Sequence, residues 1–377
     1  MIRRAIKIVD RTFVTAIAAA ILVGLFVLAS ASSAVASSPW FYLQKQLIWV
    51  ALGLVAMFTM AFFDLSQLNR YYRYIYALAI VLLAIVLVFG TEVRGSQGWI
   101  NVGGQPFQPA EIAKLLVILA FAGFLNKRQG QLNTLGEMIP CFLFMGFPWV
   151  LVMLQPDLGT GLAFLAILFG MMFIAGANPR IMLTLIVLGA MLAIGGLVLH
   201  EKAGMPLPLA DYQVKRLTVF TNPYNDGMGG RGAGWNTIQS LVAVGSGGLF
   251  GKGLFHGTQS QLNFLPEQHT DFIFAVLAEE LGFVGAAFLL LLYAVIISRA
   301  LHIGLNARDF YSTLVGVGLV SMWMFHVFEN IGMSIGLMPI TGVPLPFISY
   351  GGSFMITNMM AVGLLLQINI QGKRIVF

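Results

Sequence analysis

The feature that most constrains this chain is a succession of apolar runs, each long enough to cross a lipid bilayer, spread along its whole length. A helix needs about 20 mainly apolar residues to span the hydrocarbon layer. Lipid offers the backbone no hydrogen-bond partners, so runs of this kind fold as helices. The charged fraction of 10% agrees, because a soluble domain carries about 25% charged residues. The chain is therefore predicted to be an integral membrane protein.

We predict an all-α polytopic membrane protein with ten spanning helices in a single membrane domain, residues 1–377. The connecting stretches are short, apart from one long loop, residues 201–270, between the seventh and eighth helices. The basic N-terminus and the apolar run after it resemble a signal peptide, but we interpret them as a retained first helix. The predicted helices are Thr12–Ser30, Leu47–Phe63, Tyr74–Phe89, Ala110–Leu125, Ile139–Leu154, Leu158–Ala175, Ile181–Leu199, Phe272–Ser298, Phe310–Gly336 and Phe354–Ile370.

Lysine and arginine residues predict the orientation of the bundle, because cytoplasmic loops carry an excess of them. Most of the 21 such residues fall on one side of the predicted helices. Those on this side are Arg3, Arg4, Lys7, Arg11, Arg70, Arg73, Lys127, Arg128, Arg180, Arg299, Arg308, Lys373 and Arg374. Both termini are therefore expected in the cytoplasm, and the long loop is expected to face outward.

The long loop is predicted to contain structure of its own. Apolar residues recur there at helical spacing, which predicts a short amphipathic helix on the membrane or against the bundle. These residues are Trp235, Ile238, Leu241 and Val242. The glycine-rich tract Gly245–Gly253 that follows lacks the first glycine and the terminal Ser or Thr of a nucleotide phosphate loop. We interpret its glycines as tight turns.

Ionisable side chains near the ends of predicted helices are the candidate functional residues, because charges in a membrane are costly and mark functional sites. Glu111 and Lys114 are three residues apart and therefore share one helix face. Asp157 and Asp271 directly precede the sixth and eighth helices. All four fall at the outer ends of their predicted helices, so they could converge on one cavity.

Each of these residues also has a purely structural interpretation. Glu111 and Lys114 can form an ion pair that neutralises one helix end. Asp157 suits a helix start, and Thr270 or Asp271 can accept hydrogen bonds from the first-turn N–H groups. A helix cap and a catalytic role are compatible, so both interpretations stay open.

Three more carboxylates, Glu279, Glu280 and Glu329, lie deeper within predicted helices. They are interpreted as partners of His326 or as polar groups that pack helices together. A metal site is a further possibility at Glu267, His269 and Asp271, which alternate along the chain, but this spacing alone is a weak signal. The single cysteine, Cys141, excludes an internal disulfide.

Five ordered sequence blocks carry a family resemblance. They are Gly98–Asn101, Gln108–Lys114, Gln155–Thr160, Pro266–Phe272 and Pro344–Ser353. With the ten spans, they make the chain resemble the SEDS proteins (shape, elongation, division and sporulation) over essentially its whole length. The segment Arg216–Pro223 and the short N-terminus resemble the RodA branch, which acts in elongation, more than the FtsW branch, which acts in division. Phe354 stands where a second serine is expected after Ser353.

The resemblance implies a SEDS fold and peptidoglycan glycosyltransferase activity. SEDS proteins polymerise lipid II, a disaccharide-pentapeptide on undecaprenyl diphosphate, at the outer face of the bacterial cytoplasmic (inner) membrane. They work with a class B penicillin-binding protein, which crosslinks the strands, and with other membrane proteins of the elongation complex. The family's essential aspartate carries over to Asp271, its important Glu and Lys to Glu111 and Lys114, and its Q-P-D acid to Asp157.

The implied reaction assigns chemical roles to these residues. The 4-hydroxyl of an acceptor GlcNAc attacks C1 of a donor MurNAc, and inversion at C1 requires a base and a leaving group on opposite faces. Asp271 is the candidate general base, and His269 is a supporting residue in the same block. The departing diphosphate needs positive charge. Lys114, Arg216 or a divalent cation such as Mg²⁺ or Mn²⁺ is expected to supply it.

Two other functions stay open on the sequence alone. A polytopic protein with acids in its membrane domain could be a lipid II flippase. Against this function, the ionisable residues cluster near one face and no inverted repeat is evident. A non-catalytic scaffold of the elongation machinery would leave the clustered acids unexplained. No nucleic-acid partner is expected.

Overall fold

The computed structural model describes residues 9–33, 40–93, 96–207, 209, 211–224 and 226–372. Two compact units make up the chain: unit 1 comprises Met1–Gln67 and Trp235–Phe377, and unit 2 comprises Leu68–Gly234. The long loop is therefore shared, because the boundary falls between Gly234 and Trp235. The basic residues Arg3, Arg4, Lys7, Lys373 and Arg374, on which part of the predicted orientation rests, lie outside the described residues.

The elements follow one another in this order. Unit 1 begins with α1 (Arg11–Ser32), α2 (Phe41–Ala61) and α3 (Leu65–Arg70), which runs into unit 2. Unit 2 continues with α4 (Tyr72–Phe89), β1 (Thr91–Val93), β2 (Ser96–Val102), β3 (Gln105–Phe107), α5 (Pro109–Asn126), α6 (Leu135–Met153), α7 (Leu158–Ile174), α8 (Pro179–Ala203) and α9 (Asp211–Thr221). Unit 1 resumes with α10 (Trp235–Ser246), α11 (Thr258–Gln261), α12 (Ile273–Leu305), α13 (Phe310–Ser334) and α14 (Gly352–Gly372).

The predicted spans are all helical. Within the described part of the chain, 9 helices are long and apolar enough to cross a membrane, and α7 is a shorter apolar helix. The largest differences from the predicted ends are at α2, which begins at Phe41, and at α12, which ends at Leu305. Helical hydrogen bonding continues there through polar residues beyond the apolar run, so hydropathy placed these ends too far inward.

A three-stranded antiparallel sheet in unit 2 was not predicted. Strand β2 pairs with both β1 and β3 and contains the block Gly98–Asn101. Ser96 Oγ and the N–H of Gln97 both donate to the carbonyl of Gln155, at 2.9 and 3.3 Å. The sheet therefore lies beside the start of α7. Strands of 3 residues are too short to show an alternating pattern in the sequence.

Helix α12 is interrupted at Gly282, whose φ of 67° and ψ of −164° are not helical. Residues 273–280 before the break are all buried. Residues 283–305 after it extend about 34 Å at 1.5 Å per residue and can cross a bilayer by themselves. The break frees backbone groups that a continuous helix would pair, and such groups need partners in a membrane protein.

The glycine-rich tract supplies these partners. The N–H groups of Phe283 and Val284 donate to the carbonyls of Gly248 and Leu249, at 2.9 and 3.1 Å. In return, the N–H groups of residues 252 and 253 donate to the carbonyls of residues 279 and 280, at 3.1 and 2.9 Å. The predicted tight turns are confirmed, since Gly248, Gly251 and Gly253 have positive φ. The tract is also a backbone partner of α12.

The predicted amphipathic helix is confirmed as α10, which packs against α12 and α13. Its buried face consists of the small residues Thr237, Ser240 and Ala243, whereas Leu241 and Val242 are 41% and 44% exposed. Ser240 Oγ donates to the carbonyl of Ser334 at 2.8 Å. Small side chains face the bundle because the helix lies close to it.

We predict that Gly247→Ala destabilises the protein and Gly245→Ala does not. A Cβ atom on Gly247 would lie 2.0 Å from the carbonyl oxygen of Ala278, whereas one on Gly245 would meet nothing within 4 Å. Overpacking of this kind typically costs about 1–3 kcal/mol. Thermal unfolding of the two detergent-solubilised variants measures the difference. Equal melting temperatures would contradict close packing of the tract on α12.

Candidate functional site

Asp271 lies on a tight turn before α12 and not at the helix cap. The N–H groups of Thr270, Asp271 and Phe272 all donate to the carbonyl of Glu267, at 3.1, 3.1 and 3.2 Å. Glu267 has a φ of 53°, and the N-cap of α12 is Phe272, without a side-chain cap. Neither Thr270 nor Asp271 therefore occupies the N-cap position of this helix. The turn delays the helix start until Ile273.

The carbonyl groups of residues 269–271 are bound from the opposite side of the turn. They accept hydrogen bonds, in order, from the N–H of Tyr350 at 3.0 Å, Ser349 Oγ at 2.6 Å and Asn330 Nδ2 at 2.8 Å. The block Pro344–Ser353 thus holds the backbone of the block Pro266–Phe272. Asp271 itself is half-buried at this position.

His269 contributes an aromatic surface to the turn. Its ring stacks on Tyr42, with ring centroids 4.4 Å apart, and lies 5.9 Å from the ring of Tyr350. Burial raises the pKa of Tyr350, so its phenol is neutral at physiological pH. Among the described residues, no group of three or more His, Cys, Asp or Glu side chains could hold a metal ion.

Glu111 and Lys114 form an ion pair in unit 2, as predicted. Lys114 Nζ is 2.8 Å from Glu111 Oε1, and the two residues are only 1% and 3% exposed. Both lie in the first turns of α5. A charge at this depth is strongly unfavourable without an opposite charge beside it, so each residue stabilises the charged form of the other.

Asp157 caps α7, which confirms its structural interpretation. Its Oδ1 accepts from the N–H of Thr160 at 2.9 Å, and its Oδ2 accepts from Thr160 Oγ1 at 2.8 Å. Gln108 Nε2 also donates to Oδ2, at 3.1 Å. Because Gln108 directly precedes α5, this bond joins the blocks Gln108–Lys114 and Gln155–Thr160.

Arg216 reaches the same region of unit 2 through Tyr212. The Tyr212 hydroxyl donates to the carbonyl of Pro156, and the Arg216 guanidinium lies 5.3 Å from the centre of the Tyr212 ring. Burial raises the pKa of Tyr212, and the negative charge of Asp157 adds to this, while Arg216 opposes it. Arg216 and Asp157 therefore both act on Tyr212.

A glycine-rich turn held by Asp226 follows α9, the helix that carries Arg216. The Asp226 carboxylate accepts hydrogen bonds from the N–H groups of Met228, Gly230, Gly232 and Gly234, at 2.7 to 3.2 Å. These bonds, that of Gly230 above all, lower the pKa of Asp226 to about 2. The carboxylate is therefore charged throughout the physiological pH range and keeps the turn closed.

The deeper carboxylates of unit 1 bind groups from different parts of that unit. Glu279 is fully buried and accepts from Lys252 Nζ at 2.7 Å and from the N–H of Gln259 at 2.9 Å. Ser30 Oγ donates to Glu280 Oε1 at 2.5 Å, and Thr341 Oγ1 donates to Glu329 Oε1 at 2.7 Å. His326 Nδ1 lies 2.7 Å from the carbonyl oxygen of Met322. These contacts support the packing interpretation.

The predicted site residues therefore fall into two groups. Glu111, Lys114, Asp157 and Arg216 belong to unit 2, and residues 269 and 271 belong to unit 1. That both groups converge on one cavity stays a prediction. Sequence reasoning missed Asn330, Tyr212 and Tyr42 because each acts through a contact that only the fold brings about. Ser349 lay inside a recognised block without an assigned role.

Comparisons with known proteins agree with the five blocks. A family model described as cell cycle protein, which unites FtsW, RodA and SpoVE, matches residues 10–374. The peptidoglycan glycosyltransferase MrdB of Escherichia coli (strain K12) is 40% identical over 339 residues, which cover 88% of this chain and 86% of MrdB.

Two solved structures share the fold. One is a chain of a peptidoglycan synthase complex that coordinates polymerization and crosslinking. It matches with a TM-score of 0.80 and 30% sequence identity, and the match covers 97% of this chain and 99% of that chain. The other is the rod shape determining protein RodA of Thermus thermophilus. It matches with a TM-score of 0.69 and 30% sequence identity, and the match covers 96% of each chain.

We predict that Glu111 and Lys114 are energetically coupled. Removing one partner leaves the other charge buried, at a cost of about 3–5 kcal/mol. The double variant Glu111→Gln/Lys114→Met should therefore lower the melting temperature by less than the two single changes together. The control pair Glu111→Gln/Lys127→Met should be additive, because Lys127 is the C-cap residue at the other end of α5. Additivity in both pairs would show that Glu111 and Lys114 stabilise the protein separately.

Proposed function

This chain belongs to the FtsW, RodA and SpoVE family of cell cycle proteins, and on that premise we propose that it polymerises lipid II into glycan strands. It is a peptidoglycan glycosyltransferase of the SEDS type, as the MrdB relative is by name. One structural observation carries the assignment: Asp271 presents a half-buried carboxylate from a turn that is hydrogen-bonded on both sides. Within the family, the segment Arg216–Pro223 favours the RodA branch and a role in elongation.

The reaction is assigned to the outer face of a bacterial inner membrane. The turn of Asp271 lies at the end of α1, because Gln268 Nε2 donates to the carbonyl of Ala31 at 2.8 Å. At the opposite end of α1, Asp10 forms an ion pair with Arg299. Arg299 belongs to the basic side of the chain, so the positive-inside rule supports an orientation with the Asp10 end in the cytoplasm and Asp271 outside.

Asp271 acts as the general base in the proposed mechanism. It accepts the proton of the acceptor 4-hydroxyl as the oxygen attacks C1 of the donor sugar, while the lipid diphosphate leaves from the opposite face. A base contributes most when it is held in the reactive geometry before the substrate arrives. The hydrogen-bonded backbone of residues 267–272 supports this role.

Positive charge for the leaving diphosphate is assigned to Arg216. Lys114 is 1% exposed and is paired with Glu111, so its charge is already compensated. Arg216 is partly exposed, and a guanidinium can bind two phosphate oxygens at once. Both oxygens of Asp157 already accept hydrogen bonds. A divalent cation, Mg²⁺ or Mn²⁺, would therefore arrive bound mainly to the substrate diphosphate.

We expect the purified protein in detergent to make glycan polymer from labelled lipid II. Asp271→Ala and Asp271→Asn should lower the rate by about 10²–10⁴-fold, the usual contribution of a general base. The control is Asp309→Asn, because Asp309 caps α13 and asparagine caps equally well. The products are separated by size on a gel, and the melting temperatures of all variants are compared with that of the unaltered protein.

The same assay separates the rival functions, because neither a flippase nor a scaffold makes polymer in detergent. No polymer from the unaltered protein would reject the proposed activity. A normal polymer yield from well-folded Asp271→Asn would instead reject only the assignment of the base.

The partner is assigned as a class B penicillin-binding protein, because the solved synthase complex couples polymerization to crosslinking. Two glycines at the end of α13 and just beyond it, Gly332 and Gly336, are spaced as small residues often are where two membrane helices pack closely. A Cβ on Gly332 would lie 2.8 Å from the Met338 side chain, and one on Gly336 would lie 3.2 Å from Leu241. This pair therefore packs within unit 1.

We predict that the cognate class B protein raises the polymerisation rate even when its transpeptidase serine is replaced. Such activation would require contact and not crosslinking, because the replaced serine removes the second reaction. The measurement is initial rate against partner concentration in the lipid II assay. A rate that does not change when the stably bound partner is saturating would reject activation. Co-localisation would then be the only role left for the partner.

A further inference from the structure

We propose that Ser349 and Asn330 are positioning residues for Asp271, which they hold through the main chain of the turn. This inference rests on the proposed function, because it gives both residues a part in glycosyl transfer. Their contacts are with the backbone carbonyls of Thr270 and Asp271, so they act on the geometry of the base and not on the substrate.

Ser349 connects the turn to the loop between α13 and α14. Its hydroxyl donates to the carbonyl of Thr270 at 2.6 Å and accepts from the N–H of Leu345 at 2.8 Å. Its own carbonyl accepts from Gln46 Nε2 at 3.2 Å. Ser349 is fully buried, so water does not compete for these bonds. One hydroxyl therefore fixes the distance between two loops.

Asn330 makes a second connection, from α13. Its Nδ2 donates both hydrogens, one to the carbonyl of Asp271 and one to that of Val343, each at 2.8 Å. Asn330 is also fully buried and lies in the last turns of a helix that is mostly enclosed by the protein. The amide thus ties the same two loops to a rigid element.

The two connections complete the bonding of the turn. The N–H groups of residues 270–272 are bound by the Glu267 carbonyl, and the carbonyls of residues 270 and 271 are bound by Ser349 and Asn330. Peptide planes held on both sides cannot rotate without losing buried hydrogen bonds. The direction of the Cα–Cβ bond of Asp271 is therefore fixed before substrate binds.

A positional role predicts a particular kinetic signature. A displacement of about 1 Å at a reacting group can lower a rate on the order of 10²-fold. Substrate affinity does not depend on this displacement, so we expect loss in kcat with little change in KM. A purely structural role would instead lower the melting temperature and the fraction of active protein, without a requirement for the hydroxyl or the amide.

The variants are Ser349→Ala and Asn330→Ala, with matched controls from unit 1. Ser240→Ala removes a buried hydroxyl that donates to the carbonyl of Ser334, at 2.8 Å. Asn358→Ala removes a buried amide that donates to the carbonyl of Phe354, at 2.7 Å. Asn358 Oδ1 also accepts from Trp323 Nε1, at 2.7 Å. Both controls therefore delete buried side-chain hydrogen bonds without touching the turn. Ser349→Thr retains the hydroxyl, and Ser349→Cys preserves the size with a weaker donor, which keeps the test usable if the alanine variant does not fold.

Polymerisation of labelled lipid II is measured over a range of substrate concentrations, beside thermal unfolding. We expect kcat to fall about 10-fold to 10²-fold in Ser349→Ala and Asn330→Ala, with KM within about twofold of the unaltered value. Ser349→Thr should retain most of the kcat of the unaltered protein. The kcat of Ser349→Cys should lie between those of Ser349→Ala and Ser349→Thr. The Ser240 and Asn358 controls should retain kcat even where the melting temperature falls equally.

Three results would overturn the proposal: unchanged kcat in the well-folded Ser349 and Asn330 variants, an effect confined to KM, or an equal loss of kcat in the controls. Failure of the proposed function gives a different result, since the unaltered protein would then make no polymer. Failure of the base assignment would appear as activity in Asp271→Asn.

Discussion

The break in α12 frees main-chain groups inside a membrane protein, and the glycine-rich tract Gly245–Gly253 supplies them with partners. Residues 247–253 pair with α12 on both sides of Gly282. Lys252, in this tract, also forms an ion pair with the buried Glu279. Lipid cannot satisfy these groups, so a loop that would otherwise be expected in water is folded against the helix. The loop is thereby part of the structural framework of the site.

The same requirement explains the turn that carries Asp271. A helix that started at the acid would have used the carboxylate as a cap and committed it to the first-turn N–H groups. The carbonyl of Glu267 binds the N–H groups of residues 270–272 instead. The contrast with Asp157 is direct, because that carboxylate is used as a cap and accepts hydrogen bonds at both oxygens. Two acids that look alike in the sequence therefore occupy different positions, Asp157 at the cap of a helix and Asp271 on the turn before one.

Buried charge follows a consistent rule in both units. Lys114 is paired with Glu111, and Lys252 is paired with Glu279. Pairing lowers the cost of burial but also limits what each charge can do for a substrate. The groups assigned to the reaction, Asp271 and Arg216, are half-buried and partly exposed, respectively.

The sequence by itself determined the membrane class, the ten helices and the pairing of Glu111 with Lys114, because each depends on apolar run length or on helical spacing. It also located α10 and the turns at the glycine-rich tract. The sequence did not predict the short strands, the kink at Gly282 or the start of α12. Hydropathy does not report which partners the backbone hydrogen bonds have. The contacts of Asn330 and Ser349 with residues 270 and 271 were decided only by the tertiary structure. These contacts join segments far apart in the chain through main-chain oxygens. Every residue type carries a main-chain oxygen, so no pattern of side chains in the sequence predicts such contacts.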